Sequence, residues 1–356
     1  MDGCNKCVLP RNYPGIKFDD SGACNYCLSH EKVQALGEEL LEEVLGRYRG
    51  IGEKWDALVP VSGGKDSTFT LYWLSRFFKG RVLAYHYDNG FSHEQAKENL
   101  ENMTNSLDVP LIKVEKNQSK YVMEFLSTWL DKMSHGMIPL LCLGCRYGIV
   151  GGAYSTAKEK DIPLIVMSDN ISEASPFKSQ ILRKKGGREL GGLFLEVAVE
   201  PRYIVRHPIL TTLDYLHNYS NVRANLRVLR LLHPKTNLIH FYDYVRFDED
   251  NMMATLTSNT GWKVPEDAPY SWRFNCRIKL IKDILYLCLL GFTEMNDYLS
   301  FKIREKEISR EEALGVLEKS QDLEGLSGKV QQVLAEIKCS PVLRNKVGTL
   351  VEQAKQ

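Results

Sequence analysis

The sequence predicts an α/β protein built on a parallel, doubly wound sheet, with a cysteine-rich module at the N-terminus and a mainly helical region at the C-terminus. Three observations lead to this prediction. Short apolar runs alternate with stretches of helical periodicity between residues 55 and 170, which is typical of a parallel sheet covered on both faces. Four cysteines fall within the first 30 residues. An apolar helix and a helix-capping pattern mark the C-terminal region.

The bulk composition is that of an ordinary globular protein. Of the 356 residues, 44% are hydrophobic and 26% are charged, which argues against disorder, a collagen-like repeat or a coiled coil. The net charge of +1 provides no global field to hold a polyanion such as RNA. The longest apolar stretch, residues 284–290, is too short to cross a membrane, and residues 1–10 do not resemble a signal peptide. We therefore expect a cytoplasmic protein without a membrane partner.

The first 30 residues form a candidate metal-binding module. Two Cys-x-x-Cys pairs are separated by 16 residues, and thiolates at that spacing converge on one tetrahedral ion. The four candidate zinc ligands are Cys4, Cys7, Cys24 and Cys27. The alternative is two unrelated redox or buried pairs. The spacing favours a zinc-ribbon-like module over residues 1–30.

The rest of the chain divides into three predicted parts. Helical spacing over residues 29–48 predicts a linker helix within residues 31–54. Residues 55–245 form the sheet domain, and residues 246–356 form the mainly helical C-terminal region. Within the sheet domain we predict strands at 55–61, 82–87, 111–114 and 164–167, and helices at 68–78 and 94–107. Ser309 and Glu312 form a capping box that predicts a C-terminal helix over residues 311–319.

The turn between the first strand and the first helix is the strongest candidate site. It reads Ser62, Gly63, Gly64, Lys65, Asp66 and Ser67. A helix N-terminus after a buried strand binds anions, and paired glycines let the backbone approach a phosphate closely. The spacing differs from that of the ordinary nucleotide P-loop. We expect Lys65 and Asp66 to act on phosphate from exposed positions.

These residues resemble the PP-loop of the N-type ATP pyrophosphatases. Those enzymes cleave ATP between the α and β phosphates, adenylylate a substrate oxygen and release pyrophosphate into this loop. The resemblance implies that residues 62–67 bind ATP and that Lys65, Asp66 and Ser67 act in catalysis. Asp66 is the candidate Mg²⁺ contact, since Mg²⁺ prefers carboxylate and phosphate oxygens.

Two further acidic residues follow strands, as the resemblance leads us to expect. Asp88 comes directly after the second strand, and Asp169 follows the fourth in the sequence Ser168-Asp169-Asn170. Both are similar in position to residues that lie beside the nucleotide in that family. The typical Gly-His-Asn motif of the family is absent here, and residues 168–170 read Ser-Asp-Asn instead.

A third Cys-x-x-Cys pair, Cys142 and Cys145, lies between the third and fourth strands. Together with Cys276 it resembles the iron–sulfur subgroup of PP-loop enzymes, in which three cysteines hold a [4Fe–4S] cluster and leave one iron open. The alternatives are a second zinc site or a redox dithiol. We expect the three sulfurs to meet beside the PP-loop. Arg273 and Arg277 flank Cys276, and we expect their charge to favour its thiolate.

The N-terminal motif and the C-terminal tail resemble the N-acetyl sugar amidotransferase family. The resemblance rests on Cys-x-x-Cys-Val-Leu-Pro, the sequence from Pro14 to Asp19, Gly22-x-Cys-Asn-Tyr-Cys, and the tail around residues 291–292 and 303–313. It implies ATP-dependent activation of an amide oxygen on a nucleotide-linked sugar. Ammonia from a partner glutaminase then gives an amidine, with AMP and pyrophosphate as the other products. No cysteine lies in a glutaminase context, so we expect that activity on a separate subunit.

Two alternatives remain open at this stage. The first is tRNA or small-molecule thiolation by an iron–sulfur PP-loop enzyme, and the second is a non-catalytic nucleotide-binding adaptor. The near-zero net charge argues against a nucleic-acid partner. Basic residues at 183–188, and an arginine stripe at Arg223, Arg227 and Arg230, can supply a local patch, bind sugar-nucleotide phosphate, or form a solvated helix face. The intact loop residues argue against the adaptor.

Overall fold

The structure is a computed structural model that describes residues 3–131, 135–170, 172, 176–178, 205, 233–268 and 270–355. Its centre is a five-stranded parallel sheet in the order β3-β2-β1-β4-β5. The strands are β1 (Ala57–Pro60), β2 (Val82–Asp88), β3 (Leu111–Glu115), β4 (Leu164–Met167) and β5 (Asn237–His240). The predicted fold class is confirmed. The first four strands were predicted from the sequence, whereas β5 was not.

The described helices surround the sheet and continue into the C-terminal region. They are α1 (Asn25–Leu28), α2 (Glu38–Gly46), α3 (Lys65–Trp73), α4 (Glu94–Leu107), α5 (Ser119–Trp129), α6 (Leu143–Glu159), α7 (Glu249–Thr260), α8 (Ile278–Leu290), α9 (Glu294–Glu305), α10 (Arg310–Ser320), α11 (Leu323–Glu336) and α12 (Pro341–Lys355). A π-helical turn at Leu74–Phe78 extends α3, and a 3₁₀ segment at His135–Cys142 leads into α6.

Both faces of the sheet are buried. Along β1, Ala57 and Val59 pack into one apolar cluster with residues of α3, α4 and α7. Leu58 points to the opposite face, where it packs with Ala153 and Tyr154 of α6. Successive strand residues alternate between faces, so a strand covered on both sides is apolar throughout. This is why the predicted strands read as continuous apolar runs.

The strand order fixes where a ligand can bind. From β1 the chain continues outward to β2 and then β3 on one side of the sheet. It then returns to the other side of β1, where it forms β4 and then β5. The loops that follow β1 and β4 therefore separate and leave a crevice at the carboxyl ends of these strands. The PP-loop follows β1, and Ser168-Asp169-Asn170 follows β4. The topology places both predicted motifs on the two sides of this crevice.

The N-terminal module packs on the C-terminal helices. The Asn296 side-chain amide donates to the Val8 carbonyl at 3.0 Å, and the Tyr13 hydroxyl donates to Asp297 at 2.6 Å. The Arg310 side chain donates to the backbone carbonyls of Cys4 and Cys7, both at 3.2 Å. The module is therefore joined to the start of α9 and α10.

Some local predictions differ from the structure. The linker helix is shorter than predicted, since α2 begins only at Glu38 after Gly37, whose φ is +102°. The capping box of Ser309 and Glu312 is confirmed, and α10 begins at Arg310. The boundaries at 30/31, 54/55 and 245/246 stay predictions. The basic segment at 183–188 and the stripe of Arg223, Arg227 and Arg230 lie outside the described residues. In the described part of the chain, no helix combines the length and apolarity needed to cross a bilayer.

Candidate functional site

The PP-loop connects the end of β1 to the first turn of α3. Gly63 has a φ of +77°, and a Cβ there would lie 2.0 Å from the Ala96 carbonyl oxygen, so both backbone and space require glycine. The Ser62 amide donates to Ser67 Oγ at 3.1 Å, which closes the loop on itself. Because α3 begins at Lys65, its first amides have no partner within the helix and can meet an anion.

The loop opens into a cavity of about 420 Å³. Two cysteines also line the cavity: Cys142, which immediately precedes α6, and Cys276. Cationic side chains make up much of the remaining wall. These are Arg146, Lys178, Arg273, Lys279 and Lys282. One enclosed space therefore joins the phosphate-binding loop, two of the three predicted cluster cysteines and a strongly basic wall.

Lys65 does not lie exposed in the loop. Its side chain is 2% exposed, and its Nζ lies 3.5 Å from Glu249 Oε1 and 3.3 Å from Asp66 Oδ1. Glu249 also contacts Lys302. Burial acts to raise the pKa of Glu249, but Lys65 and Lys302 outweigh it and hold that pKa at about 2. The expectation of an exposed Lys65 is wrong, because α7 brings a buried carboxylate to the loop.

Asp66 lies between the loop and the segment after β4. The Asn170 side-chain amide donates to Asp66 Oδ2 at 3.4 Å, and the Tyr242 hydroxyl donates to the Asp66 carbonyl at 3.0 Å. The carboxylate lines the cavity beside the phosphate-binding loop. This position suits a Mg²⁺ contact, which stays a prediction.

Asp169 lines the cavity and pairs with a residue that sequence reasoning missed. His240 Nδ1 lies 2.7 Å from Asp169 Oδ2. Burial acts to raise the pKa of Asp169, but the hydrogen bond and charge of His240 outweigh it and lower that pKa. His240 ends β5 opposite Met167 of β4, so adjacent parallel strands deliver the pair to one edge. The strand was not predicted, and so neither was the pair.

Asp88 shapes a turn. Its Oδ1 accepts from the Gly90 amide at 2.8 Å, and Asp88 is not among the residues that line the cavity. The turn presents Asn89, whose side-chain nitrogen donates to Cys145 Sγ and Cys276 Sγ, both at 3.3 Å. An ATP-binding role for Asp88 stays a prediction. Asn89 could have been noticed in the sequence, because it follows a strand end in Asp-Asn-Gly.

The structure brings Cys145 and Cys276 together. Two 3.3 Å contacts to one nitrogen place their sulfurs no farther apart than twice that distance. The Arg277 amide donates to the Phe91 carbonyl at 2.8 Å, which holds the Cys276 segment against the turn after β2. Burial, and then the neighbouring Cys276 and Cys142, raise the pKa of Cys145. The three thiols therefore influence one another across the chain.

The flanking arginines do not have the expected effect on Cys276. Arg273 Nη1 lies 2.7 Å from Glu294 Oε2, and Arg277 pairs with Glu336. Burial, followed by the neighbouring Cys142, raises the pKa of Cys276. The expectation that these arginines favour its thiolate is wrong, because both extend to carboxylates of the C-terminal helices.

The two cysteine groups differ in spacing. The sulfurs of the four N-terminal cysteines all lie within 4.8 Å of one another, with Cys4 to Cys27 at 4.0 Å and Cys7 to Cys24 at 3.8 Å. Four sulfurs around one tetrahedral ion with bonds of about 2.3 Å have this spacing. Among the described residues, no other His, Cys, Asp or Glu group is so compact. The second cysteine group is wider, as a cluster requires when each cysteine binds a different iron.

The fold and the loop define the class of this protein. It is an α/β protein with a parallel sheet of order β3-β2-β1-β4-β5, and a Ser-Gly-Gly-Lys-Asp-Ser loop lies at the carboxyl end of β1.

Comparisons with known proteins place the chain among distant relatives. No protein-family model matches it. An uncharacterized protein of Methanocaldococcus jannaschii is 21% identical over 320 residues, which span 89% of this chain and 93% of that protein.

Two solved structures are similar at low levels. The U34-tRNA thiolase NcsA from Methanococcus maripaludis, with its [4Fe-4S] cluster, has a TM-score of 0.35 and 14% identity over 89% of both chains. The NH3-dependent NAD synthetase from Campylobacter jejuni, in complex with the nitrate ion, has a TM-score of 0.29 and 16% identity. That match covers 64% of this chain and 93% of the synthetase. At these TM-scores the likeness carries no information on activity, which has to be inferred from the residues of the site.

Proposed function

We propose that this protein uses ATP to adenylylate an oxygen atom of an acceptor and releases AMP and pyrophosphate. One observation carries the proposal: the PP-loop opens into a cavity of about 420 Å³ that is lined by cationic residues. The acceptor oxygen attacks the α phosphorus, the bond between the α and β phosphates breaks, and pyrophosphate leaves. In this proposal the loop amides and Lys65 stabilise the charge that develops on the departing phosphates.

We propose an N-acetyl sugar, linked to a nucleotide, as the acceptor. The sequence resemblance at both ends of the chain supports this choice. The amide oxygen is a poor leaving group, and adenylylation turns it into part of AMP. Ammonia then attacks the amide carbon, AMP leaves with the former amide oxygen, and an amidine remains. A separate glutaminase subunit is the proposed source of ammonia.

The metal assignments are part of the same proposal. Zn²⁺ fits the compact site of Cys4, Cys7, Cys24 and Cys27, whose spacing suits tetrahedral thiolate coordination. A [4Fe–4S] cluster fits Cys142, Cys145 and Cys276, because their sulfurs are more widely spaced and two of them, Cys142 and Cys276, line the cavity. A bound cluster with one open iron would supply a site for sulfide or a substrate group. Mg²⁺ is proposed to contact Asp66.

A second candidate function is sulfur insertion into a tRNA base or a small molecule. The meeting of Cys145 and Cys276 at Asn89, beside the ATP cavity, favours it. The adenylylation step is the same in both functions, and only the nucleophile that displaces AMP differs. Amidation requires ammonia and an N-acetyl acceptor, whereas thiolation requires sulfide and an oxygen on a base.

Oxygen tracing distinguishes the candidates. UDP-N-acetylglucosamine with ¹⁸O in the acetyl oxygen is incubated with ATP, Mg²⁺ and ammonium, and the products are analysed by mass spectrometry. We expect ¹⁸O in the phosphate of AMP and an acceptor in which nitrogen has replaced the labelled oxygen. AMP release that depends on tRNA and sulfide, with no change in the sugar, would contradict amidation and support thiolation.

A further inference from the structure

A buried carboxylate holds three cations at one end of the cavity. Glu294, in the first turn of α9, is 1% exposed and contacts Lys178, Arg273 and Lys282. Its Oε2 lies 2.7 Å from Arg273 Nη1 and 2.9 Å from Lys282 Nζ. We name these four residues the Glu294 cation cluster. One carboxylate balances a single positive charge, so the cluster carries an excess of positive charge.

The cations of the cluster face the cavity, and the carboxylate lies behind them. Lys178, Arg273 and Lys282 line the cavity, whereas Glu294 does not. The side chains of Lys178 and Arg273 are 27% and 29% exposed, so both present surface to the cavity. Glu294 therefore acts as an anchor that orients the cations toward the cavity without occupying it.

The cluster is fixed by the surrounding core. Phe177, next to Lys178, is fully buried, and its ring packs edge-on against Tyr286 of α8 and Phe292, with centroids 5.4 and 5.3 Å away. Lys282 is carried by α8 and Glu294 by α9. Cations held in place before binding lose little entropy when an anion arrives.

Two charged groups of the described residues lie near the cluster: Asp297, whose pKa burial raises to about 7 and which interacts with Lys178, and Lys279. Lys279 also lines the cavity, but it pairs with Asp283 and adds no excess charge. Burial, together with the nearby Lys282 and Arg273, lowers the pKa of Lys178 to about 8 against the opposing effect of Glu294. The three cations repel one another, and an anionic ligand relieves that repulsion. A guanidinium and two ammonium groups suit phosphate oxygens.

We infer that the Glu294 cation cluster binds the diphosphate of the acceptor, while the PP-loop binds the phosphates of ATP. The inference rests on the proposed function, since it presumes an acceptor that enters the same cavity. The loop has its own lysine, Lys65, which is balanced by a different carboxylate, Glu249. Two separate anion sites let ATP and a nucleotide-linked acceptor occupy one cavity together.

Calorimetric titration of the full chain with UDP tests the inference. UDP is titrated with and without saturating α,β-methylene-ATP, an analogue that cannot be cleaved between the α and β phosphates. We expect UDP to bind when the analogue is present. R273M and K178M should each weaken UDP binding at least about tenfold and change analogue affinity by less than about twofold. K113M is the control, because Lys113 is an exposed lysine of β3 that does not line the cavity.

Three results would overturn the inference: no UDP binding by the wild-type protein, competition between UDP and the analogue, or unchanged UDP affinity in both variants. Thermal unfolding of each variant verifies that it is folded. Failure of the proposed function looks different. If UDP binds as expected but no N-acetyl acceptor yields AMP, the cluster stands and the proposed function fails. If AMP forms and both variants bind UDP normally, the function stands and the cluster assignment fails.

Discussion

Lys65 Nζ of the PP-loop lies 3.5 Å from Glu249 Oε1 in a buried network. The same carboxylate contacts Lys302 and accepts hydrogen bonds from Tyr270 and Tyr298, each at 3.0 Å. The loop lysine is therefore held in place from outside the loop by a helix nearly two hundred residues away in sequence. This arrangement makes α7 part of the predicted phosphate-binding site.

The first prediction concerns the stability of this network. Glu249→Ala removes the buried carboxylate that Lys65 and Lys302 share and leaves them the more exposed Asp66 and Glu307. We expect a loss of about 3–5 kcal/mol in the free energy of unfolding. Lys65→Met leaves Glu249 paired with Lys302, so we expect a clearly smaller loss. Denaturant unfolding of both variants measures the difference. Equal losses, or a larger one for Lys65→Met, would show that Glu249 does not organise the network.

The second prediction concerns the N-terminal module. Cys24→Ser removes one of four thiolates, and we expect zinc content measured by mass spectrometry to fall well below one per chain. Structural metal sites fold with their metal, so limited proteolysis should then cut within roughly the first 30 residues. Cys288→Ser, a half-buried cysteine of α8 outside the module, is the control. Full zinc stoichiometry in Cys24→Ser would refute the assignment.

The third prediction concerns Cys142, Cys145 and Cys276. After anaerobic reconstitution with iron and sulfide, we expect the wild-type protein to be brown, with visible absorption and about four irons per chain. Cys276→Ser should lose most of the visible absorption and most of the iron, whereas Cys288→Ser should keep the absorption and the iron. Asn89→Ala removes the amide that donates to two of the thiols and should weaken cluster retention without abolishing it. Wild-type levels of iron and colour in Cys276→Ser would rule out a shared cluster.

The fourth prediction is a pH dependence of stability at the contact between Tyr13 and Asp297. Burial raises the pKa of Asp297 to about 7, and its Oδ2 has no hydrogen-bond partner among the described residues. The unfolded carboxyl ionises near 3.8, so between these values the folded state holds the proton more tightly. The contribution of Asp297 to the free energy of unfolding is therefore fully present at low pH and is lost as the pH rises toward 7.

Asp297→Asn removes this titration and can still accept from Tyr13. We expect Tm of the variant relative to wild type to be higher at pH 8 than at pH 5. Thermal unfolding at both values measures it. A variant that differs from wild type by the same amount at both pH values would show that Asp297 does not titrate as described.

The sequence predicted the features that depend on local patterns. Four strands, the PP-loop and the capping box at Ser309 follow from apolar periodicity and short motifs. The partners of the site were not predictable in this way. Glu249, His240 and Glu294 meet side chains that line the cavity through packing between distant elements. Nothing in the local sequence distinguishes them from surface carboxylates or a surface imidazole, because burial and long-range pairing create their roles.

The central claim is cleavage of ATP between its α and β phosphates. The most direct test is to separate the nucleotide products formed with ATP, Mg²⁺, UDP-N-acetylglucosamine and ammonium, using Asp66→Asn as the inactive control. Loss of the carboxylate beside the loop should lower turnover by at least about a hundredfold. The account predicts AMP and pyrophosphate in equal amounts from the wild-type protein. ADP and orthophosphate would contradict it.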